Sequence, residues 1–288
     1  MPVNKKNKSV SVVHLIWLPY GIDFFHSFLE SYKKFPAGYE HDLVLLFNGV
    51  TNKIETKPYH ELISSTGIEY KSFYLSNGQD ITAYSWIAGQ LNSEFILFFN
   101  SFSTFMAENW LFKYMTAIPA ADIGIVGATA SMESHYSAVY SKLTWIWEKD
   151  KPFNYNFRKY KLFLKVFFYW RWFFKPFPSP HIRTNAFIIR RELFLEIVPK
   201  EIRNKFEAYR FENGRNSLTV RCEKRKLKAL VIDKNGKTYL SDHWKESCTY
   251  RINDQKNLLI SDNRTKLYSE GSLEEKKLMT KLSWGVDQ

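Results

Sequence analysis

Residues 68–99 read IEYKSFYLSNGQDITAYSWIAGQLNSEFILFF. Three signals follow one another in this stretch. Ile68–Leu75 is rich in aromatic and β-branched residues, and the pair Asn77-Gly78 closes it as a turn. From Asp80 to Asn92, Ile81, Tyr84, Ile87, Ala88 and Leu91 recur at helical spacing. Glu94–Phe99 (EFILFF) is then a continuous apolar run, as expected of a strand buried on both faces. Strand, helix and strand in that order predict two parallel strands joined by a crossover helix.

The same alternation extends both ways. Val10–Leu18, Asp42–Phe47 and Asp122–Ala128 read as further strands, and Phe24–Lys34, Tyr59–Ser65 and Trp110–Ile118 as helices. The expected fold class is α/β, with a mostly parallel sheet flanked by helices. Ligands of such sheets bind beyond the carboxyl ends of the strands. Those ends are Pro19–Asp23, Asn48–Thr51, Ser76–Asp80 and Asn100–Ser103.

The later part mixes elements. Thr184–Ile189 reads as a strand, Leu193–Ile197 as a short helix, and Asn216–Lys224 as a helix after the polar step Phe211–Arg215 (FENGR). Ala229–Tyr239 reads as a hairpin around Asn235-Gly236. Ser272–Glu275 is a capping-box start for a last helix, with Leu278, Met279 and Leu282 as its apolar face. No internal repeat and no clear linker occurs.

The 288 residues are 45% hydrophobic and 24% charged, a composition that excludes a disordered chain and a small disulfide scaffold. The net charge of +12 points to an anionic partner. Residues 151–191 hold ten Lys or Arg and no Asp or Glu, so nearly all of that excess sits in one segment. Residues 151–180 also hold thirteen aromatics. On a wheel of about 100° per residue, Arg158, Lys161, Lys165, Arg171 and Lys175 share one arc. Phe163, Val166, Phe167, Tyr169, Trp170, Phe173 and Phe174 fall mostly opposite. Three readings are open: nucleic-acid binding by phosphate contacts and stacking, seating in a membrane interface, or an internal aromatic helix with a solvated face. The arc and the step Trp170-Arg171-Trp172 favour an anionic membrane surface, and no RNA-binding motif is present.

Cys222 and Cys248 form no CxxC motif and read as reduced cytosolic thiols. The start, MPVNKKNKSVSVVHLIWL, has the outline of a signal peptide. His14 within the apolar run and the missing small-residue cleavage site instead favour a first strand, with His14 as a satisfied core histidine. No run of apolar residues is long enough to span a membrane. The seven histidines form no HExxH or i,i+4 pair, and there is no P-loop, GxGxxG or GxSxG, so no protein-built metal site is expected.

Asp80 is either a helix N-cap or a carboxylate that fixes a ligand hydroxyl or base. Asn100–Ser103 either satisfy a turn or line a cleft. Glu212 is either a general base with a raised pKa or a solvated carboxylate paired with Arg210 or Arg215.

Together these segments resemble GT-A glycosyltransferases, a Rossmann-like fold, and within them the family 2 inverting enzymes. NGQDITAY (77–84) resembles the N-x-G-x-D-[IF]-x-A-[YW] element of bacterial polysaccharide glycosyltransferases, including rhamnan-synthesis-like proteins. EFILFFNSFS (94–103) sits where that fold ends a strand in Asp-x-Asp, HIRTNAFIIRRELF (181–194) resembles the strand beside the acceptor site, and FENGRNSLT (211–219) the place of the catalytic base.

The resemblance implies one catalytic domain over residues 1–240. Within it, 10–128 would be the nucleotide-sugar half, 150–180 a membrane-associating helical segment and 181–240 the acceptor half, with 241–288 a C-terminal extension. It implies that Pro19, Tyr20, Asn48, Asn77, Asp80, Asn100 and Ser101 face the nucleotide-sugar donor and that Glu212 deprotonates an acceptor hydroxyl. Arg183 and Arg215 would serve the diphosphate or the acceptor, a glycan or a lipid-linked sugar. Lys161, Lys165, Trp170, Arg171 and Trp172 would hold the protein to the inner face of the cell membrane. The implied role is bacterial surface polysaccharide synthesis, such as lipopolysaccharide or capsule.

One departure is plain: Asn100, Ser101 and Phe102 replace Asp-x-Asp. An amide and hydroxyls are poor ligands for a hard cation. The enzyme is then metal-independent, holds Mg²⁺ or Mn²⁺ by other ligands, or has lost catalysis and binds a membrane or a partner protein. A metal-independent enzyme needs other positive charge on the leaving diphosphate, and Arg183, Arg190, Arg191 and Arg215 are the cations at hand.

Overall fold

A computed structural model describes residues 9–137, 152–199 and 201–285. Twelve strands are assigned among them: β1 (Val10–Trp17), β2 (Asp42–Asn48), β3 (Lys71–Leu75), β4 (Phe95–Phe99), β5 (Thr104–Phe105), β6 (Ile123–Gly127), β7 (Ala130–Ser131), β8 (His181–Ile182), β9 (Ala186–Arg190), β10 (Lys228–Ile232), β11 (Thr238–Tyr239) and β12 (Ile260–Ser261). The helices are α1 (Asp23–Lys34), α2 (Lys57–Ser64), α3 (Asp80–Gln90), α4 (Trp110–Ala117), α5 (Phe153–Phe173), α6 (Arg191–Ile197), α7 (Lys205–Asn213), α8 (Leu218–Glu223), α9 (Asn263–Glu270) and α10 (Leu273–Trp284).

Eight strands form one sheet in the order β11-β10-β6-β9-β4-β1-β2-β3. The pairs β1–β2, β1–β4, β2–β3 and β6–β10 are parallel, as the alternation predicts. Strand β9 runs against both of its neighbours, β4 and β6, and β11 turns back on β10. The two faces of the sheet bury separate cores. Ile96 and Phe98 of β4 pack with Tyr84 and Ile87 of α3, while Phe95, Leu97 and Phe99 pack with Phe28 of α1 and Trp110 of α4. Covering both faces is why EFILFF is apolar without alternation.

The antiparallel course of β9 decides what reaches the site. Ala186 lies opposite Phe99, at the carboxyl end of β4, and Arg190 lies opposite Phe95, at its start. The turn before β9 therefore delivers Thr184 and Asn185 to the carboxyl end of β4, and the strand carries Arg190 and Arg191 to the other. There Arg190 pairs with Glu94 at 2.8 Å and Arg191 donates to the Ala88 carbonyl. Neither is available to a diphosphate.

Phe211–Asn213, part of the polar step, end α7, whose start is capped by the Asn204 side chain accepting from the Glu207 N–H at 3.0 Å. Two further expectations are corrected. His14 is a core residue, but neither ring nitrogen has a hydrogen-bond partner. Its ring stacks on Phe28 at 3.7 Å, and burial holds its pKa down at about 3, so it stays neutral. On α10, Leu278 and Leu282 are exposed, and the helix buries Ser283 and Trp284 instead.

Helix α5 forms as expected, but its rings do not all turn inward. Phe163 and Phe174 are buried, and Trp170 packs on Phe206 and Phe174. Phe153, Phe157, Tyr160, Phe168, Tyr169 and Trp172 stay exposed beside Arg158, Lys161 and Arg171. A narrow inward seam satisfies the fold, so basic and aromatic side chains share the outward face. The Lys165 side chain lies outside the described residues. No helix among the described residues is long and apolar enough to cross a membrane.

Residues 241–285, set apart on sequence as an extension, pack into the domain. Strand β12 pairs with β5, the Trp284 ring N–H donates to the Tyr250 carbonyl at 2.7 Å, and Arg251 pairs with Glu133.

Candidate active site

At the carboxyl end of β4 the chain turns through Asn100–Ser103. The Asn100 side-chain oxygen accepts from the Phe102 N–H at 3.1 Å and from the Ser103 hydroxyl at 2.9 Å. The Ser101 hydroxyl accepts from the Trp17 N–H at 3.0 Å, which ties the end of β1 to that of β4. Asn48 is fully buried: it donates to the Gly78 carbonyl and accepts from the Gly49 N–H, both at 2.9 Å. These three side chains, expected to face a donor, are engaged in shaping the strand ends. Gly49, at φ +79, makes the sharp departure from β2 that this bonding needs.

Pro19 and Tyr20 lie in a short 3₁₀ turn after β1. Tyr20 is exposed, with its ring 4.9 Å from Phe102, so an aromatic surface borders this end of the sheet. Asn77 is exposed in the loop after β3. Asp80 is the first residue of α3, while Gln79 occupies the cap position without a side-chain cap bond, so the N-cap reading of Asp80 does not hold.

Glu212 is the centre of the second corner. It is partly buried near the end of α7 and accepts from the Thr184 hydroxyl at 3.0 Å. Neither arginine expected beside it pairs with it. Arg210 stacks over the Phe173 ring at 4.0 Å, and Arg215 donates to the Arg171 carbonyl. Burial pushes the Glu212 carboxyl up to about 7; the Asp80 charge adds to the rise, while the Thr184 bond, Arg183 and Lys205 oppose it. Asp80 is likewise raised by desolvation, with Lys205 opposing. Its side chain is nevertheless exposed at the start of α3. Tyr84 is fully buried: burial comes first among the causes that raise its phenol, followed by the Asp80 and Glu212 charges.

Three polar atoms of this corner are buried without a partner: the Tyr84 hydroxyl, the Asn185 side-chain N–H₂ and the Asn213 side-chain oxygen. Asn185 otherwise braces the site. Its side-chain oxygen accepts from the Thr129 hydroxyl at 3.0 Å, and its carbonyl accepts from the Asn100 N–H at 2.9 Å. Thr184, Asn185, Tyr84 and Lys205 are the residues that sequence reasoning misses. The signal for the first two is a polar Thr-Asn pair placed directly before the buried run AFII.

Arg183 is already committed. Its guanidinium donates to Asp262 at 2.7 Å and to the Thr129 hydroxyl at 3.1 Å, and lies over the Tyr250 ring at 4.2 Å. It positions this wall of the site instead of offering a free charge. Arg215 is not among the charges that reach Glu212.

A divalent cation does not fit the end of β4, which presents an amide oxygen already accepting two bonds and a hydroxyl already accepting one. No three His, Cys, Asp or Glu side chains converge among the described residues. Both cysteines are free and buried.

No family model matches the chain, and no curated protein matches it. Solved structures do. The mannosyltransferase PcManGT from Pyrobaculum calidifontis, in complex with GDP-Man and Mn²⁺, is 10% identical over 43% of this chain and 36% of its own, with a TM-score of 0.36. GalNAc-T7 with UDP, GalNAc and Mn²⁺ is 14% identical over 67% of this chain and 37% of its own, at 0.44. A cytidylyltransferase from Leptospira borgpetersenii serovar Hardjo-bovis is 11% identical over 78% of this chain and 76% of its own, also at 0.44. The chain thus spans little more than a third of the first two proteins.

Proposed function

We propose that this protein transfers a sugar from a nucleotide-sugar donor to a hydroxyl of a glycan or lipid-linked acceptor, with Glu212 as general base. The observation that carries the reading is the Glu212 corner. A carboxylate lies near the carboxyl end of the sheet, aimed by Thr184, with its pKa raised to about 7 by burial. Such a base is ionised for much of the time at neutral pH yet holds a proton well, which suits general-base work. Glu212 removes the acceptor proton, and the acceptor oxygen bonds to the anomeric carbon. The bond from that carbon to the nucleoside diphosphate breaks in the same step, with inversion. Asp80, whose charge reaches Glu212, would face the donor, and Lys205, whose charge reaches both carboxylates, is the cation of this corner.

The proposal takes the reaction as metal-independent, since the end of β4 lacks the carboxylates a hard cation requires. The NGQDITAY resemblance directs it to bacterial surface polysaccharide, and the exposed rings and cations of α5 direct it to the inner membrane face. A second reading, a non-catalytic binding protein, draws on the internal engagement of Asn48, Asn100 and Ser101.

A thermal-shift titration with UDP-, GDP-, CMP- and dTDP-sugars, each with Mn²⁺ and with EDTA, separates them. One nucleotide should raise Tm by roughly 5–10 °C at a hundredfold excess over Kd. The rise should survive EDTA. A folded protein that responds to none of them fits the non-catalytic reading and overturns the transferase one.

A further inference from the structure

A cavity of about 590 Å³ opens between the end of α5, α7 and the segment before α7. A second hollow, lined by Phe168, Arg171, Trp172 and Arg215, adjoins it through Trp172 and Arg215. The larger cavity is lined by four arginines, Arg203, Arg210, Arg215 and Arg221, and by two glutamates, Glu201 and Glu207, so cations outnumber anions there. Glu207 accepts from the Arg203 N–H at 2.8 Å. Arg203 is paired with Glu201 at 2.9 Å. Arg210, Arg215 and Arg221 form no ion pair with a carboxylate among the described residues. Elsewhere Arg183, Arg190, Arg225 and Arg251 each hold one.

The three unpaired guanidiniums are held in place by neutral groups. Arg210 lies on the Phe173 ring, Arg215 donates to the Arg171 carbonyl, and Arg221 donates to the Asn216 and Ile197 carbonyls and lies over the Phe211 ring. Arg221 has its pKa lowered, first by burial and then by its neighbours Arg225 and Arg210. Guanidiniums crowded at a cavity and fixed by neutral partners leave their remaining N–H groups to an oxyanion, and arginine is the residue suited to phosphate.

The rim is apolar and faces outward. Trp172 is 80% exposed and Phe168 57%, and Tyr169 adjoins them on the same helix end. Rings beside unpaired cations match a phosphate that carries an apolar chain. The cavity also faces away from the reacting corner. Residues 207, 210 and 211 line it, whereas Glu212 and Lys205 lie on the opposite side of α7 at about 100° per residue. A ligand here sits behind the base instead of against it, which fits a membrane lipid and not the acceptor hydroxyl.

We infer that this arginine cavity with its Trp172–Phe168 rim binds the phosphate head group of an anionic membrane lipid and docks the domain on the bilayer. The inference does not depend on sugar transfer, and its test reads only binding. Co-sedimentation of the full chain with phosphatidylcholine vesicles, with and without phosphatidylglycerol, measures it. Wild type should bind the anionic vesicles. Arg215→Glu should weaken binding roughly tenfold or more, from the worth of surface charges near a membrane. Trp172→Ala, at an exposed position that cannot unfold the chain, should weaken it too. Lys57→Glu on the exposed face of α2 should leave it nearly unchanged. Equal losses from Arg215→Glu and Lys57→Glu would reduce the effect to diffuse net charge and overturn the site. Release by inorganic phosphate together with no effect of Trp172→Ala would assign a free-phosphate site and overturn the lipid reading.

Discussion

Two corners of the same sheet edge treat their polar groups in opposite ways. At the ends of β2 and β4, Asn48, Asn100, Ser101 and Ser103 form hydrogen bonds within the chain. At the corner of β9 and α7, Tyr84, Asn185 and Asn213 each leave a buried polar atom without a partner, and Glu212 holds a proton up to about pH 7. Unpaired buried polar groups cost stability. The chain satisfies one corner and leaves the other short, and a site that awaits polar ligand atoms has that second character.

The largest break in this contrast should come from Glu212→Gln. Loss of a general base costs about 10²–10⁴-fold in rate, while donor binding measured by calorimetry should persist. The same variant sharpens the electrostatic side. Glu212 is protonated in both folded and unfolded states well below its ordinary pKa of 4.5. As pH rises from 4.5 through about 7, the unfolded state ionises first and the folded state loses stability relative to it. Glu212→Gln lacks that loss, so its stability relative to wild type should grow across the window, by up to ~3 kcal/mol at its alkaline end, read as a widening Tm difference. Activity should run the other way and climb as pH passes 7, because only the carboxylate is a base. A Tm difference that does not change between pH 4.5 and 8 would remove the buried-carboxyl account.

The next effect concerns the wall behind the site. Asp262 is fully buried and pairs with Arg183. Asp262→Ala leaves a buried guanidinium without its anion, which costs about 3–5 kcal/mol. Tm should fall by roughly 10 °C, and transfer should fall with it, because Arg183 also holds Thr129 and through it Asn185. A variant as stable as wild type would show that the pair adds nothing to this wall.

The sheet was legible in the sequence because burial on both faces writes itself as uninterrupted apolar runs. Glu212 was singled out for its place in FENGR and not for its surroundings. The bonds that define it were not. Thr184 lies 28 residues from it, and Asp262 lies 79 residues from Arg183. Sequence could not place Arg190 and Arg191 for a topological reason: they lie at the end of a strand whose direction reverses, and a run such as AFIIR carries no mark of direction. The α5 rings misled in another way, since a helical wheel ranks faces by composition and cannot tell how narrow a seam the domain will cover.

A smaller effect is expected at Asp80. Its charge raises Glu212, so Asp80→Asn should move the acid limb of the pH–rate profile to lower pH. An unmoved limb would place Asp80 outside the electrostatic reach of the base.

The smallest effect belongs to the satisfied corner and tests the contrast from its other side. Ser101 is buried, and its hydroxyl accepts the Trp17 N–H at the end of β1. Ser101→Ala leaves that N–H without its acceptor, at a cost of about 1 kcal/mol and ~2–4 °C in Tm. If the hydroxyl is purely a tie between β1 and β4, the Kd for the donor should stay within about twofold, since twofold is less than half a kcal/mol. A tenfold loss of donor affinity with Tm unchanged would mean that the bond to Trp17 yields to a ligand, and that this corner belongs to the donor site after all.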